Sequence, residues 1–379
     1  MTSTPNLETS RELIVLTAAK TVANAALRWV SPFLPVLQAA LGASTATLTT
    51  VMGVAELGGL TTMVTGRVLD RGRERSVFVA GLGAVVVSSL LALRGSVLFF
   101  ALSFGVLVIG VANLTVAAHA WIGHRVPFSR RGRAIGIVEM SWAIALGAGA
   151  PVMALLIGRF GWRGPYVALV IAGCVAIGAV TWRVSDSPAS GDTADRPKMV
   201  RSAYVPLGVS AAVAAAGMAV FVVSGVWLDE HHGVSLGGLG FVAAAIGMVE
   251  LGSSSMVAAV SDRLGTLRSV TIGGLVLLAG LAMIASAQTS IVLAVSGLLV
   301  FLAGFEFAFV ASLTLVTEAA PEARGKAIGI GNALGTVSRA IAVATSGLLY
   351  QYFGMRASVG LAALAATTAL LLTRVRATV

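Results

Sequence analysis

Seven ionisable side chains lie inside long apolar runs of this sequence, where a charge is costly unless it is paired or reached by water. They are four acids and three bases, namely Glu56, Glu139, Glu250, Glu306, Lys20, Arg28 and Arg339. At about 1.5 Å per residue from the ends of their runs, Glu56, Glu250, Glu306 and Arg339 reach the midplane of a ~30 Å hydrocarbon layer. Acids and bases at that depth can bind protons or charged ligands.

These charges could instead form buried ion pairs with a purely structural role. We favour function for the group as a whole, because apolar side chains would fill the same space at lower cost. Arg28 is a candidate anchor for an anionic ligand group, or a partner of one of the acids, and Lys20 lies on the same helix. Asn113 is a weaker cavity candidate, because amides inside membranes commonly bridge helices.

Other chemistries find little support in the sequence. His231 and His232 could suggest a metal, but adjacent histidines in a short polar loop are more often solvated. Cys174 is the only cysteine, so a thiolate metal cluster is excluded. There is no phosphate-binding loop for ATP, and no nucleophile stands beside a base. We therefore predict no enzyme activity, no metal and no cofactor.

The composition indicates that lipid is the solvent of this chain. Of its 379 residues 57% are hydrophobic and 11% charged, and the mean hydropathy is +0.93. The long apolar runs lack the two-residue alternation of an outer-membrane barrel. The net charge of +10 is spread over short loops, so it indicates topology rather than nucleic-acid binding. The predicted partners are the bilayer, protons and a small molecule.

Apolar runs between charged or turn-forming breaks predict twelve membrane-spanning helices. The predicted spans are 12–40, 46–69, 76–94, 97–123, 133–158, 164–183, 203–228, 237–260, 269–287, 290–317, 325–350 and 355–374. A polar stretch between the sixth and seventh spans resembles a solvated linker. We therefore predict two domains, 1–184 and 202–379, joined by a linker over 185–201.

The basic residues predict the orientation of the chain. With the N-terminus inside, only Arg94, Arg159, Arg163 and Arg356 of the 26 Lys and Arg lie in outer loops, and three more lie within spans. Cytoplasmic loops carry the excess of positive charge, so both termini and the linker are predicted to be cytoplasmic. The preference for Arg, Ala, Gly and Val indicates a GC-rich bacterium and hence its inner membrane.

The two halves of the sequence repeat each other. RGRAIGI (131–137) recurs as RGKAIGI (324–330), and GVAELG (53–58) recurs as GMVELG (247–252). The pairs Asp70-Arg71 and Asp262-Arg263 recur in the same order. Several ordered matches predict a duplication, and parallel six-helix repeats are typical of one large class of transporters.

The loop after the second span, GRVLDRGRER (66–75), resembles the loop signature of the major facilitator superfamily. Gly66, Asp70 and Arg71 match its spacing, and the second copy keeps Asp262 and Arg263. The resemblance implies that the carboxylate lies against the positive end of helix 11 and holds the two halves together. The alternative is a solvated loop that only fixes topology.

The fifth span is similar to that of the drug and sugar efflux branches of this family. It contains ALGAGAP (145–151) and ends in RFGWRGPY (159–166), although Ala150 replaces the glycine expected before the proline. The helix 4 arginine of these branches has no counterpart. Small residues also serve plain helix packing, which is the alternative interpretation of the segment.

The resemblance implies an all-α membrane protein with twelve transmembrane helices in two six-helix bundles, related by a pseudo-two-fold axis around a central cavity. It implies a monomeric secondary transporter, and we predict proton-coupled efflux of a small organic molecule by antiport. The alternatives are uptake by symport or uniport, and a membrane sensor without transport.

In the resembled family, helices 2 and 11 are neighbours, and this suggests how transport is coupled to protons. Glu56 and Arg339 have similar depth and should approach each other in at least one state. Burial disfavours a carboxylate and a nearby guanidinium favours it, so removal of Arg339 would favour proton uptake by Glu56. Glu250 or Glu306 is the alternative proton carrier, and Glu139 is a further candidate for proton coupling or ion pairing.

Overall fold

The computed structural model describes residues 7–186, 204–319 and 324–377, and almost all of them are helical. A short 3-10 helix, Leu57–Thr61, is inserted between α3 and α4. The α-helices are α1 (Leu7–Arg28), α2 (Leu34–Leu41), α3 (Thr45–Glu56), α4 (Thr62–Leu69), α5 (Glu74–Ala92), α6 (Val97–Arg125), α7 (Phe128–Gly147), α8 (Gly149–Phe160), α9 (Arg163–Arg183), α10 (Tyr204–His232), α11 (Leu236–Leu264), α12 (Thr266–Ser286), α13 (Ile291–Ala319), α14 (Arg324–Phe353) and α15 (Met355–Ala377).

Three of the twelve predicted spans are interrupted rather than continuous. The first divides into α1 and α2 around a turn at 29–33, where Pro32 and Pro35 cannot donate helical hydrogen bonds. The second changes to 3-10 geometry at Leu57–Thr61, which contains Gly58 and Gly59. The fifth divides into α7 and α8 at Ala148.

Length and composition identify the membrane-crossing helices among the described residues. Ten helices are long and apolar enough to span a membrane, and the pair α2 plus Thr45–Gly66, bent by 110°, raises the number to eleven if it counts as one span. The α1 helix carries five charged residues within its 22 residues, namely Glu8, Arg11, Glu12, Lys20 and Arg28. Those five charges lower its hydropathy, although it occupies the place of the first predicted span.

The chain divides into two compact units. The first consists of residues 1–30 and 58–193, and it contains α1, α4 and α5 to α9. Its helices approach closely where small residues face each other. A Cβ atom added to Gly81 of α5 would lie 2.8 Å from the Gly110 carbonyl oxygen of α6, so these positions accept only glycine without displacement.

The second unit consists of residues 31–57 and 194–379, and it contains α2, α3 and α10 to α15. Most residues of α10 are buried. The α12 and α13 helices pack through glycines, since a Cβ atom on Gly273 would lie 2.6 Å from the Ala308 backbone nitrogen. The predicted domain boundaries at 184 and 202 stay a prediction, and most of the predicted linker, 187–201, lies outside the described residues.

Candidate functional site

An ion pair joins the two helices that were predicted to meet near the midplane. In the second unit, Arg339 of α14 donates from Nε to Glu56 Oε2 at the end of α3, over 3.1 Å. The Glu56 side chain is 13% exposed and that of Arg339 30% exposed. Arg339 also donates from Nη2 to Thr336 Oγ1 over 3.3 Å. The expected approach of the two side chains is present, and a proton-carrying role stays a prediction.

The α3 and α14 helices support this pair by close packing along their length. A Cβ atom on Gly53 would lie 2.6 Å from the Ala340 carbonyl oxygen, so the two backbones almost touch one turn before Glu56. At the other end, the Ala46 backbone N–H donates to Gln351 Oε1 over 2.9 Å. Small residues and a terminal amide therefore fix the register in which Glu56 meets Arg339.

A second charged cluster lies in the first unit, and we call Lys20, His119 and Glu139 the histidine cluster. Lys20 Nζ of α1 lies 2.8 Å from Glu139 Oε1 of α7, and His119 Nε2 of α6 lies 2.8 Å from the same oxygen. Lys20 is 1% exposed, whereas His119 is 41% and Glu139 43% exposed. The carboxylate therefore has one buried and one accessible basic neighbour.

The α1 and α7 helices make further polar contacts beyond this cluster. Asn24, one turn after Lys20, donates from Nδ2 to Ser141 Oγ over 3.0 Å. Arg28, one turn further on, donates from Nη1 to the Trp142 carbonyl oxygen over 2.9 Å, and its guanidinium lies 4.3 Å from the centre of the Trp142 ring. Lys20, Asn24 and Arg28 thus form one polar stripe against α7, since residues four apart share a helix face.

The other candidate residues are distributed over both units. Asn113 of α6 donates to Thr61 Oγ1 over 2.8 Å and accepts from Thr65 Oγ1, so it bridges α6 to the 3-10 break in the second span. Glu306 of α13 accepts from Ser254 Oγ of α11 over 2.6 Å, and Glu250 of α11 is buried. Their proposed roles in coupling or binding stay predictions.

The two loop motifs end α4 and α11. Asp70 and Arg71 are exposed after α4, and the space beside Gly66 is open. In the second copy Arg263 is exposed, and the side chain of Asp262 lies outside the described residues. The implied role of this motif, which is to hold the two halves together and so control opening of one side, stays a prediction.

Asp70→Asn should test that role. If the carboxylate holds one side of the protein closed, the variant should populate inward-open forms and move ligand more slowly while ligand binding is retained. The measurement is flux, together with the labelling of single cysteines on both faces in a Cys174→Ala background. Asp229→Asn, near the end of α10, is the control. Unchanged flux and labelling would show that Asp70 only helps to fix the orientation of the chain in the membrane.

Sequence reasoning missed His119. The residue lies two turns before the end of α6, and near a helix end a histidine suggests nothing specific. Its relation to Glu139, twenty residues later, depends on how α6 and α7 pack. The available signal was Glu139 itself, because an acid within a span calls for basic partners on neighbouring helices.

Comparison with known families decides the class of the protein. The family model described as Major Facilitator Superfamily matches residues 16–210 and 207–378. The chain belongs to the Major Facilitator Superfamily. As a member of that superfamily it is a multi-pass membrane protein with the fold of secondary transporters, and it is not an enzyme.

One curated relative matches part of this superfamily member. It is 28% identical over 138 residues to YwfA of Bacillus subtilis (strain 168), an uncharacterized MFS-type transporter. That match covers 35% of the chain and 33% of YwfA, so the chain matches a third of the length of this curated relative.

Solved structures share the fold of this superfamily member. A bacterial homologue of the human lysosomal transporter Spinster, inward-facing and occupied, is 16% identical with a TM-score of 0.82, and 98% of each chain is covered. A D-xylose-proton symporter is 16% identical with a TM-score of 0.78, covering 96% of this chain and 97% of that one. At these identities the likeness concerns the fold alone.

Proposed function

We propose that this superfamily member is a proton-coupled transporter of a small organic molecule. The ion pair of Glu56 and Arg339 carries the proposal. A carboxylate that is mostly buried stays ionised at low cost only beside its cation. If α3 and α14 separate during transport, the carboxylate loses that partner and uptake of a proton restores a neutral group. The pair thereby couples helix separation to protonation.

The proposed first direction is efflux in exchange for protons, which rests on the similarity of the fifth span to the drug and sugar efflux branches. The second candidate is uptake together with protons. The histidine cluster favours this second candidate, because its accessible imidazole can take up a proton beside a bound ligand. We further propose a monomer in a bacterial inner membrane.

The test begins with a ligand and proceeds to flux. Thermal stabilisation of the purified protein by a panel of metabolites and drugs identifies a ligand, whose movement is then followed in right-side-out and everted vesicles with an imposed pH gradient. Accumulation in everted vesicles identifies efflux, and accumulation in right-side-out vesicles identifies uptake. Ligand binding without flux in either preparation would contradict transport and indicate a sensor.

The proposed topology makes a separate prediction. The predicted linker near Gly191 should be cytoplasmic, because loops rich in basic residues lie on the cytoplasmic side of a membrane. A green fluorescent protein fused there should fluoresce, and an alkaline phosphatase fused there should be inactive. The measurement compares alkaline phosphatase and green fluorescent protein fusions at this position. A control fusion after Gly233, in a predicted outer loop, should give the opposite pattern. Phosphatase activity at Gly191 would overturn the proposed orientation.

A further inference from the structure

The histidine cluster is a charged group that the proposed coupling by Glu56 and Arg339 does not use. Two of its members, His119 and Glu139, lie on helices of the first unit that are long and apolar enough to span a membrane, and both side chains are more than a third exposed. Ionisable side chains in such helices face a bundle interior or a water-filled cavity rather than lipid. The exposed face of His119 and Glu139 is therefore accessible to a dissolved ligand.

The hydrogen bonds of the cluster show which nitrogen of His119 holds the lone pair. An ionised carboxylate only accepts hydrogen bonds, so the Nε2 atom that lies 2.8 Å from Glu139 must carry the hydrogen. In the neutral imidazole the other nitrogen, Nδ1, then holds the lone pair. A proton taken up by His119 binds at Nδ1, which becomes a second N–H donor.

The charges of the cluster determine what that donor attracts. Lys20 and Glu139 cancel each other across a 2.8 Å contact, and Lys20 is too deeply buried to meet a ligand itself. With neutral His119 the cluster has no net charge, and with protonated His119 it carries one positive charge. Lys20 is thus a positioning residue, because without it the charges of Glu139 and protonated His119 would cancel.

Several charged groups on neighbouring helices have partners outside the three residues of the cluster, whereas Arg130 and Arg133 of α7 are exposed. On α5, the nearest acid, Glu74, contacts His124, which lies five residues beyond His119 on α6. On α7, Arg131 donates to the carbonyl oxygens of Gly123 and Val126. On α1, Arg28 lies two turns from Lys20 at Trp142, and α4 meets α6 through the uncharged side chain of Asn113.

We propose that the histidine cluster is a proton-dependent binding site for a small organic anion. The anion accepts a hydrogen bond from protonated Nδ1 of His119. The exposed part of the Trp142 ring, about one turn from Glu139 on α7 and beside the Arg28 guanidinium, offers an apolar wall for its carbon skeleton. The inference rests on the proposed proton-coupled transport. A proton and an anion that bind together also move together, which favours the uptake direction.

The test uses three compounds of one shape, the anion benzoate, neutral benzamide and the cation benzylamine. Their affinities for the purified full-length protein are measured by calorimetry at about pH 6 and about pH 8, the range in which an ordinary histidine changes charge. Benzoate should bind about tenfold more tightly at the lower pH, a factor that a modest electrostatic gain provides. Benzamide should show no such dependence.

Three variants separate the site from a general effect of pH. His119→Gln should remove the pH dependence of benzoate binding, whereas the control His124→Gln on the same helix should retain it. Lys20→Met keeps an unbranched side chain one atom shorter but leaves Glu139 uncompensated, so the preference should change from benzoate to benzylamine. If Lys20 had only a structural role, Lys20→Met would weaken the binding of all three compounds equally.

Several results would overturn the inference. They are undetectable benzoate binding at about pH 6, equal benzoate affinity at both pH values, and a wild-type preference for benzylamine. The proposed function fails separately: pH-dependent benzoate binding by a protein that moves no protons in liposomes supports the anion site and contradicts coupled transport. Coupled flux of another ligand without benzoate binding contradicts only the anion site.

Discussion

Glu56→Gln should abolish accumulation of the ligand driven by a pH gradient while leaving exchange of the ligand across the membrane intact. Glutamine keeps the shape of the side chain and can still accept a hydrogen bond from Arg339, but it cannot bind and release a proton. The loss of accumulation should be complete. Exchange should stay within about threefold of wild type, because glutamine leaves a hydrogen-bond acceptor beside the Arg339 guanidinium, whose side chain is 30% exposed. The measurement is uptake into liposomes with and without an imposed gradient.

Glu250→Gln is the matched comparison, because Glu250 occupies the same position of the repeated segment in the second half of the sequence. If Glu56 carries the proton, Glu250→Gln should still accumulate the ligand. Accumulation by Glu56→Gln would show that the proton moves elsewhere, with Glu250, Glu306 and Glu139 as the remaining acids. If Arg339→Ala lowers the melting temperature and no coupling defect is found, the pair is structural.

Gly53→Leu should separate α3 from α14 and destabilise the protein. The first carbon of the new side chain would lie 2.6 Å from the Ala340 carbonyl oxygen and 2.9 Å from the Ala344 nitrogen. Both atoms belong to the backbone of a helix and cannot rotate away, so the two helices must move apart. Overpacking of this kind costs about 1–3 kcal/mol, and it also takes Glu56 away from Arg339.

The measurement combines thermal unfolding with the reactivity of a cysteine introduced as Thr49→Cys, since Thr49 is fully buried. In a Cys174→Ala background the thiol should react with a maleimide faster when Gly53→Leu is also present. Gly360→Leu in α15 is the control, because the space beside Gly360 is open. Unchanged Thr49→Cys reactivity would show that the helices accommodate the side chain without separating.

The sequence determined the class of this protein. A bilayer accepts only segments that satisfy their own backbone hydrogen bonds and expose apolar side chains, so long apolar runs predict membrane-spanning helices directly. Composition and run length therefore sufficed for a multi-pass helical protein. The repeated segments and the loop at 66–75 sufficed for the superfamily, which the family model confirmed.

The sequence also identified which charged residues to compare, but not all of their neighbours. Depth along a helix follows from residue count, which is why Glu56 and Arg339 could be matched across 283 positions of sequence. Depth does not specify the angle at which a side chain leaves its helix. Contact further required Gly53 opposite Ala340 and Ala344, and such close approach depends on the packed partner.

Tertiary structure alone decided the histidine cluster and the polar partners of the interrupted second span. His119 is part of a site only because α1 and α7 pack beside it. The α1 helix places Lys20 Nζ 2.8 Å from Glu139 Oε1 of α7, and the same oxygen lies 2.8 Å from Nε2 of His119. The break at Leu57–Thr61 is bridged by Asn113, which sequence reasoning named as a weaker cavity candidate with helix bridging as the alternative. Hydropathy measures how apolar a segment is, whereas the ends of a helix and the partners of its polar groups depend on which residues its neighbours present.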